Sequence, residues 1–213
     1  MTERGNTMGD RIKLTYAFDA YCGWCYGFGP ALHEFAEANA ERIDLRVLSG
    51  GLFTTGAPIA AYPHISEAND RISQLTGVTF GEGYLRLLAE GSAVMDSTDA
   101  ATGLVALGHS LDAAAALQRA WYRDGRSLSD PQVYRDLAAE LGLDSDAVAA
   151  AYANPATRNT AHADFREVRK LGVQGYPTLL LHTEHGTHRL GGPTSTASKL
   201  TRALEQHLAT QQA

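Results

Sequence analysis

The 213-residue chain holds only two cysteines, Cys22 and Cys25. A disulfide framework is thereby excluded, because a single bridge closing so short a loop would stabilise almost nothing. Any thiol chemistry must use this pair. No stretch approaches the roughly 18 consecutive apolar residues that span a bilayer. Positive charge is in deficit, with a formal net charge of -6. That argues against nucleic acid or an anionic membrane as partner, since both would repel the chain. The first thirteen residues carry Glu3, Arg4, Asp10, Arg11 and Lys13 with no apolar segment between them. No secretory signal is expected, Met8 is an alternative start, and the expected location is cytoplasmic. With 44% hydrophobic and 20% charged residues, the composition is that of an ordinary globular protein.

Ile12, Leu14, Tyr16 and Phe18 alternate with polar or small residues, the period of a strand. Phe28, Leu32 and Phe35 follow at helical spacing, in a helix whose first turns contain Gly27, Gly29 and Pro30. Those residues call for tertiary support and predict a kink at Pro30. Ile43, Leu45 and Val47 alternate again. Strand, helix and strand in so short a span predict a βαβ unit with parallel strands.

From Thr54 to Pro58 the chain is loop-like, and from there to about Leu171 nearly every signal is helical, with no alternating pattern. Asp130-Pro131 and Asn154-Pro155 supply N-cap and N1 pairs, Asp144 caps a short helix, and Gly142 and Gly172 stand where helices stop. Beyond Gly172 two strands, about Thr178 to Leu181 and Thr187 to Leu190, flank a turn at Glu184-His185-Gly186. Leu200, Leu204 and Leu208 mark a last helix with Thr194, Ser195 and Thr196 as capping candidates. The sum is an α/β chain, a four-stranded mixed sheet with an all-helical insertion. We expect residues 1–11 to be a tail, residues 12–56 and 172–209 to form a discontinuous sheet domain, and residues 57–171 to form the insertion.

Cys22-Gly23-Trp24-Cys25 falls where the first strand ends and the first helix begins. Ligands bind at that edge of an open α/β sheet, and a helix N-terminus favours thiolate over thiol. Cys22 is then the attacking thiolate, and Cys25, one turn on, the resolving thiol. Zinc needs about four ligands and no second cysteine pair exists. Haem attachment needs histidine after Cys25, where Tyr26 stands. His185 falls at a hairpin tip, and His182 and His188 flank it as cross-strand neighbours. No metal site or cofactor is expected. Tyr21, Trp24, Tyr26 and Phe53 are candidates for an aromatic rim, with core packing the plainer reading for Phe53.

These residues, with the stretches FDAYCGWCYGFGP, SGGLF, TGVTFGEGY, AWYRDGRSLSDP and LGVQGYPTLLL, resemble the thioredoxin superfamily. Within it the chain is similar to the DsbA-type thiol–disulfide oxidoreductases, and more closely to their cytoplasmic protein-disulfide isomerase branch. The resemblance implies a DsbA-like thioredoxin fold interrupted by a helical domain. It implies that Pro177 is a cis-proline facing the pair, and that Tyr176, after Gly175, docks substrate as an added strand beside Trp24 and Tyr26. Two departures bear on the chemistry. The dipeptide Gly23-Trp24 lacks the histidine of strongly oxidising relatives, so the expected potential lies between about -120 and -270 mV. Tyr16 stands where thioredoxins keep a buried acid, and Asp19, nearer the pair, becomes the candidate proton acceptor for Cys25.

The reading is a disulfide reductase or isomerase acting on disulfide-containing proteins or low-molecular-weight thiols, recycled by an unidentified reductant. Two alternatives stay open. One is a glutathione-dependent isomerase or kappa-type transferase on the same scaffold, and the other a peptide-binding chaperone. The oligomeric state is not legible.

Overall fold

A computed structural model describes residues 11–211, so the expected tail lies outside it apart from Arg11. The first strand, β1 (Ile12–Phe18), pairs in parallel with β2 (Ile43–Ser49), and α1 (Gly23–Ala38) crosses between them. The two strands added near the end of the chain, β5 (Thr178–Thr183) and β6 (Gly186–Arg189), complete a sheet of order β2-β1-β5-β6. Here β5 lies antiparallel to β1, and β6 antiparallel to β5.

Strand β1 is central and covered on both faces. Leu14, Tyr16 and Phe18 join Phe28, Leu32 and Phe35 of α1 in the main core. The alternate residue Ala17 packs with Leu48 and with Val168 of a later helix. The alternation along β1 thus separates two apolar layers, each buried against a helix. Helix α1 runs through Pro30 as one element. The amide hydrogen bond that Pro30 cannot donate is offset by complete burial of the Leu32 and Phe35 side chains beyond it.

Between β2 and β5 lies the helical insertion. It comprises β3 (Ala57–Pro58), α2 (Ile65–Thr76), α3 (Glu82–Glu90), β4 (Val94–Met95), α4 (Ser97–Ala106), α5 (Leu111–Tyr122), α6 (Pro131–Glu140), α7 (Ser145–Ala153) and α8 (Pro155–Lys170). The paired β3 and β4 depart from the all-helical expectation. Two residues per strand are too few for an alternating pattern to show. The capping residues act as read: Asp130 accepts from Gln132 N at 2.9 Å, Asp144 from Asp146 N at 2.9 Å and Asn154 from Ala156 N at 2.9 Å. Gly142 and Gly172 have φ of 70° and 73°, as expected of residues just past a helix end. The last helix, α9 (Ala197–Gln211), is capped by Thr196, which accepts from Lys199 N at 3.3 Å.

One buried carboxylate ties the insertion to the sheet. Asp164 on α8, 3% exposed, accepts from Ser49 N at the end of β2 at 3.3 Å. It also meets His109 Nε2, from the α4–α5 turn, at 2.5 Å. Replacing it leaves a buried amide unsatisfied and removes the His109 partner, at about 1–3 kcal/mol for the amide alone. Asp164→Ala is therefore expected to lower unfolding free energy by about 2–3 kcal/mol in urea titration. A loss under about 0.5 kcal/mol would show that the tie is unimportant.

Candidate active site

The site begins where β1 gives out. Cys22 takes an extended conformation, with φ of -85° and ψ of 108°, and serves as N-cap of α1, its sulfur accepting from Cys25 N at 3.4 Å. This is the position a serine or aspartate oxygen takes in ordinary capping, here given to sulfur. Both cysteines are free thiols. They differ in access: Cys22 is 6% exposed and Cys25 is fully buried. Burial, first of all, pushes the Cys25 thiol well above its usual range, and proximity to Cys22 adds to the shift.

Opposite Cys22 stands the segment before β5. The Tyr176–Pro177 peptide bond is cis, and the Cys22 thiol lies 3.5 Å from the Tyr176 carbonyl oxygen. Pro177 is buried while Gly175 is exposed. Thr178 Oγ1 donates to Gly175 O at 2.8 Å, holding the turn. The Tyr176 ring lies over Gly50, where a β-carbon would come within 2.1 Å of it. Only glycine leaves room there without moving the ring.

Asp19 is fully buried and holds three segments of the site. Its Oδ1 accepts from Tyr21 N at 3.0 Å, and its Oδ2 from Leu52 N, in the loop after β2, at 3.0 Å. Its backbone carbonyl accepts from Cys22 N at 3.0 Å. The Ser97 hydroxyl of α4 also faces the carboxylate. Burial nevertheless raises the carboxyl from its usual 3.8 to about 6, against the lowering effect of those donors. Tyr16, the residue standing in place of an acid, is 2% exposed, and its hydroxyl adjoins Cys25 without a hydrogen bond of ordinary geometry.

Cys22 opens on a cavity of about 160 Å³. Tyr21, Trp24 and Phe53 line it; Phe53, for which core packing is the plainer sequence reading, is half-buried at this wall, whereas Tyr21 is 3% exposed and packs edge-on against Trp121 with ring centroids 4.7 Å apart. Tyr26 is not part of that wall. It stacks on Tyr122 at 4.8 Å and donates to Thr79 O at 2.9 Å, facing a different cavity. The sequence reading missed Trp121 and Tyr122, which bring the end of α5 to the Cys22 cavity. Their signals are the aromatic pair at the end of that helix and its place in the stretch AWYRDGRSLSDP.

Thiols that open a helix on a thioredoxin-type sheet do the chemistry of disulfide exchange, and this enzyme is a thiol–disulfide oxidoreductase. The chain belongs to the family of the DSBA-like thioredoxin domain, which residues 13–192 match. Among solved structures it is similar to the cytosolic disulfide reductase DsbM from Pseudomonas aeruginosa, at 29% identity over 95% of this chain and 100% of the other, with a TM-score of 0.78. The structure of that reductase with GSH aligns at 31% identity over 93% and 100% of the two chains, with a TM-score of 0.76. The oxidoreductase DsbA from Xylella fastidiosa shares the fold at 13% identity, covering 96% and 88%, with a TM-score of 0.59. No protein of curated function matches by sequence.

The Asp19 shift has a measurable consequence. A carboxyl raised on folding contributes stability that is complete below its unfolded pKa and is lost as pH rises through the folded value of about 6. In Asp19→Asn this titration is absent. Between about pH 4 and 7 the stability of the variant relative to the parent should therefore rise by about 2.4 kcal/mol. Paired urea titrations across that range check it, and a gap that does not change with pH would show that Asp19 ionises in its ordinary range.

Proposed function

We propose that the protein is a cytoplasmic disulfide reductase, with disulfide-bonded proteins or low-molecular-weight disulfides such as that of glutathione as substrates. The observation that carries the reading is the inequality of the two thiols at one helix start. Cys22 opens on a cavity beside the Tyr176 carbonyl, whereas Cys25 is sealed behind it. In this reading the Cys22 thiolate attacks a substrate sulfur, breaking the S–S bond and releasing one substrate thiol. A mixed disulfide forms across from Pro177. Cys25 loses its proton and attacks Cys22 Sγ, releasing the second substrate thiol and leaving a Cys22–Cys25 disulfide. A recycling dithiol or thiol reductant returns two electrons and two protons to the pair. Gly175 and Tyr176 offer backbone to an extended substrate segment, and Trp24 an apolar edge. Residues 12–56 and 172–209 form the catalytic domain and residues 57–171 the insertion that closes the cavity.

Direction follows from the buried thiol. A strong oxidant owes its potential to a stabilised reduced form. Here no histidine lies within the motif, and burial disfavours a Cys25 thiolate. Both features support a reducing pair, as does similarity to a protein described as a cytosolic disulfide reductase.

Iodoacetamide at neutral pH is expected to modify Cys22 and spare Cys25 in the native protein, as read by peptide mass spectrometry. With insulin and a thiol reductant, Cys22→Ser should reduce no faster than the reductant alone. Cys25→Ser should accumulate a mixed disulfide through Cys22. Full turnover by Cys25→Ser with glutathione would overturn the two-thiol cycle in favour of a glutathione-dependent isomerase or transferase. Aggregation suppression without reductase activity in the parent would point instead to a chaperone.

A further inference from the structure

Tyr26, which the sequence groups with the Cys22 rim, leads to a second and larger cavity of about 440 Å³. It lies between α1, the connection from α2 to α3, and α5, and no residue lines both it and the Cys22 cavity. Its size is in the range that holds small organic ligands. One side is apolar, built from Pro30, Val78, Leu111, Ala114 and Ala115.

Two polar side chains in its wall are left over by the fold. Gln118, 4% exposed, has an amide nitrogen with no hydrogen-bond partner among the described residues. The hydroxyl of Tyr16, 2% exposed, makes no hydrogen bond of ordinary geometry either, although it adjoins the Cys25 thiol. Both atoms can donate, and buried donors without partners are uncommon.

The charge is one-sided as well. No aspartate or glutamate lines the cavity, although the chain as a whole carries -6. Arg123 is exposed at the wall and makes no ion pair among the described residues. The other basic group, His33, is already engaged, with Nε2 3.4 Å from Asp112 and Nδ1 3.2 Å from Gly29 O. Asp124, next in the chain to Arg123, is the acidic neighbour that partly offsets it.

We propose that this cavity is a binding site for an organic anion with an apolar body. Its charged group sits at Arg123, its body lies along the Ala114 and Ala115 face of α5, and an acceptor at its buried end takes the Gln118 amide. The site shares no lining residue with the Cys22 cavity and approaches the thiols through Tyr16, whose hydroxyl adjoins Cys25.

Fluorescence titration of the full chain tests this with 8-anilinonaphthalene-1-sulfonate as an anionic probe and N-phenyl-1-naphthylamine as its neutral counterpart. The sulfonate should bind saturably at one site. Arg123→Gln should weaken it by about tenfold and leave the neutral probe unchanged. Ala115→Trp, which fills the cavity, should abolish binding of the sulfonate while Cys22 still reacts with iodoacetamide. Absence of saturable sulfonate binding overturns the proposal. So does binding that survives Ala115→Trp, or an Arg123→Gln effect that is absent or equal for both probes. Should Ala115→Trp fail to fold, the comparison of the two probes on Arg123→Gln decides alone, because that position is exposed.

Discussion

The site depends on the buried carboxylate of Asp19. It closes the turn from β1 into α1 through Tyr21 N, fixes the loop after β2 through Leu52 N, and faces Ser97 at the start of α4. Three segments far apart in sequence are thereby held around Cys22. The arrangement has a cost, visible in the raised carboxyl: desolvation outweighs the donors that face it. Few groups tolerate this except where they organise a functional site, because a buried charge without a full set of partners destabilises the fold around it.

Asp19 also accounts for the asymmetry of the thiols. Its carbonyl takes the Cys22 amide proton, and its own backbone N–H lowers the Cys25 thiol slightly against the much larger effect of burial. Cys22 is pinned as N-cap with its sulfur toward the cavity. Cys25, on the first turn, is driven into the core with Phe28 and Tyr16. The inequality of the two thiols therefore follows from a turn and a helix start, which are local features. The opposing Tyr176–Pro177 segment is a long-range addition, seated because Gly50 lacks a side chain.

How legible each part was in the sequence follows from that division. The caps at Asp130, Asp144 and Asn154, the sheet strands and the cysteine pair were readable, since each is decided within a few residues. The partners of Asp19 were not, because Leu52 and Ser97 meet it only through tertiary packing. Trp121 was invisible as a wall of the Cys22 cavity for the same reason. The grouping of Tyr26 with Trp24 was separable in principle. Two residues along a helix turn through about 200°, so the two side chains leave α1 on opposite sides. That rotation is why one ring borders the thiols and the other stacks on Tyr122.

The glycines at the start of α1 carry the last step. By propensity they weaken the helix, and Gly27 is among the residues behind the expectation of tertiary support. The structure locates that support in α2. A β-carbon on Gly23 would meet Ile72 Cδ1 at 2.8 Å, and one on Gly27 would meet Ile72 Cγ2 and Thr76 Oγ1 at 2.9 Å. The bare face of α1 lets α2 approach directly behind the thiols. Ile72 is 1% exposed there and lines the Cys22 cavity. The residues that make α1 a poor isolated helix thus make it a good seat for the insertion. A thioredoxin-type helix with alanines in those positions would hold α2 farther off, and the Cys22 cavity would lose a wall.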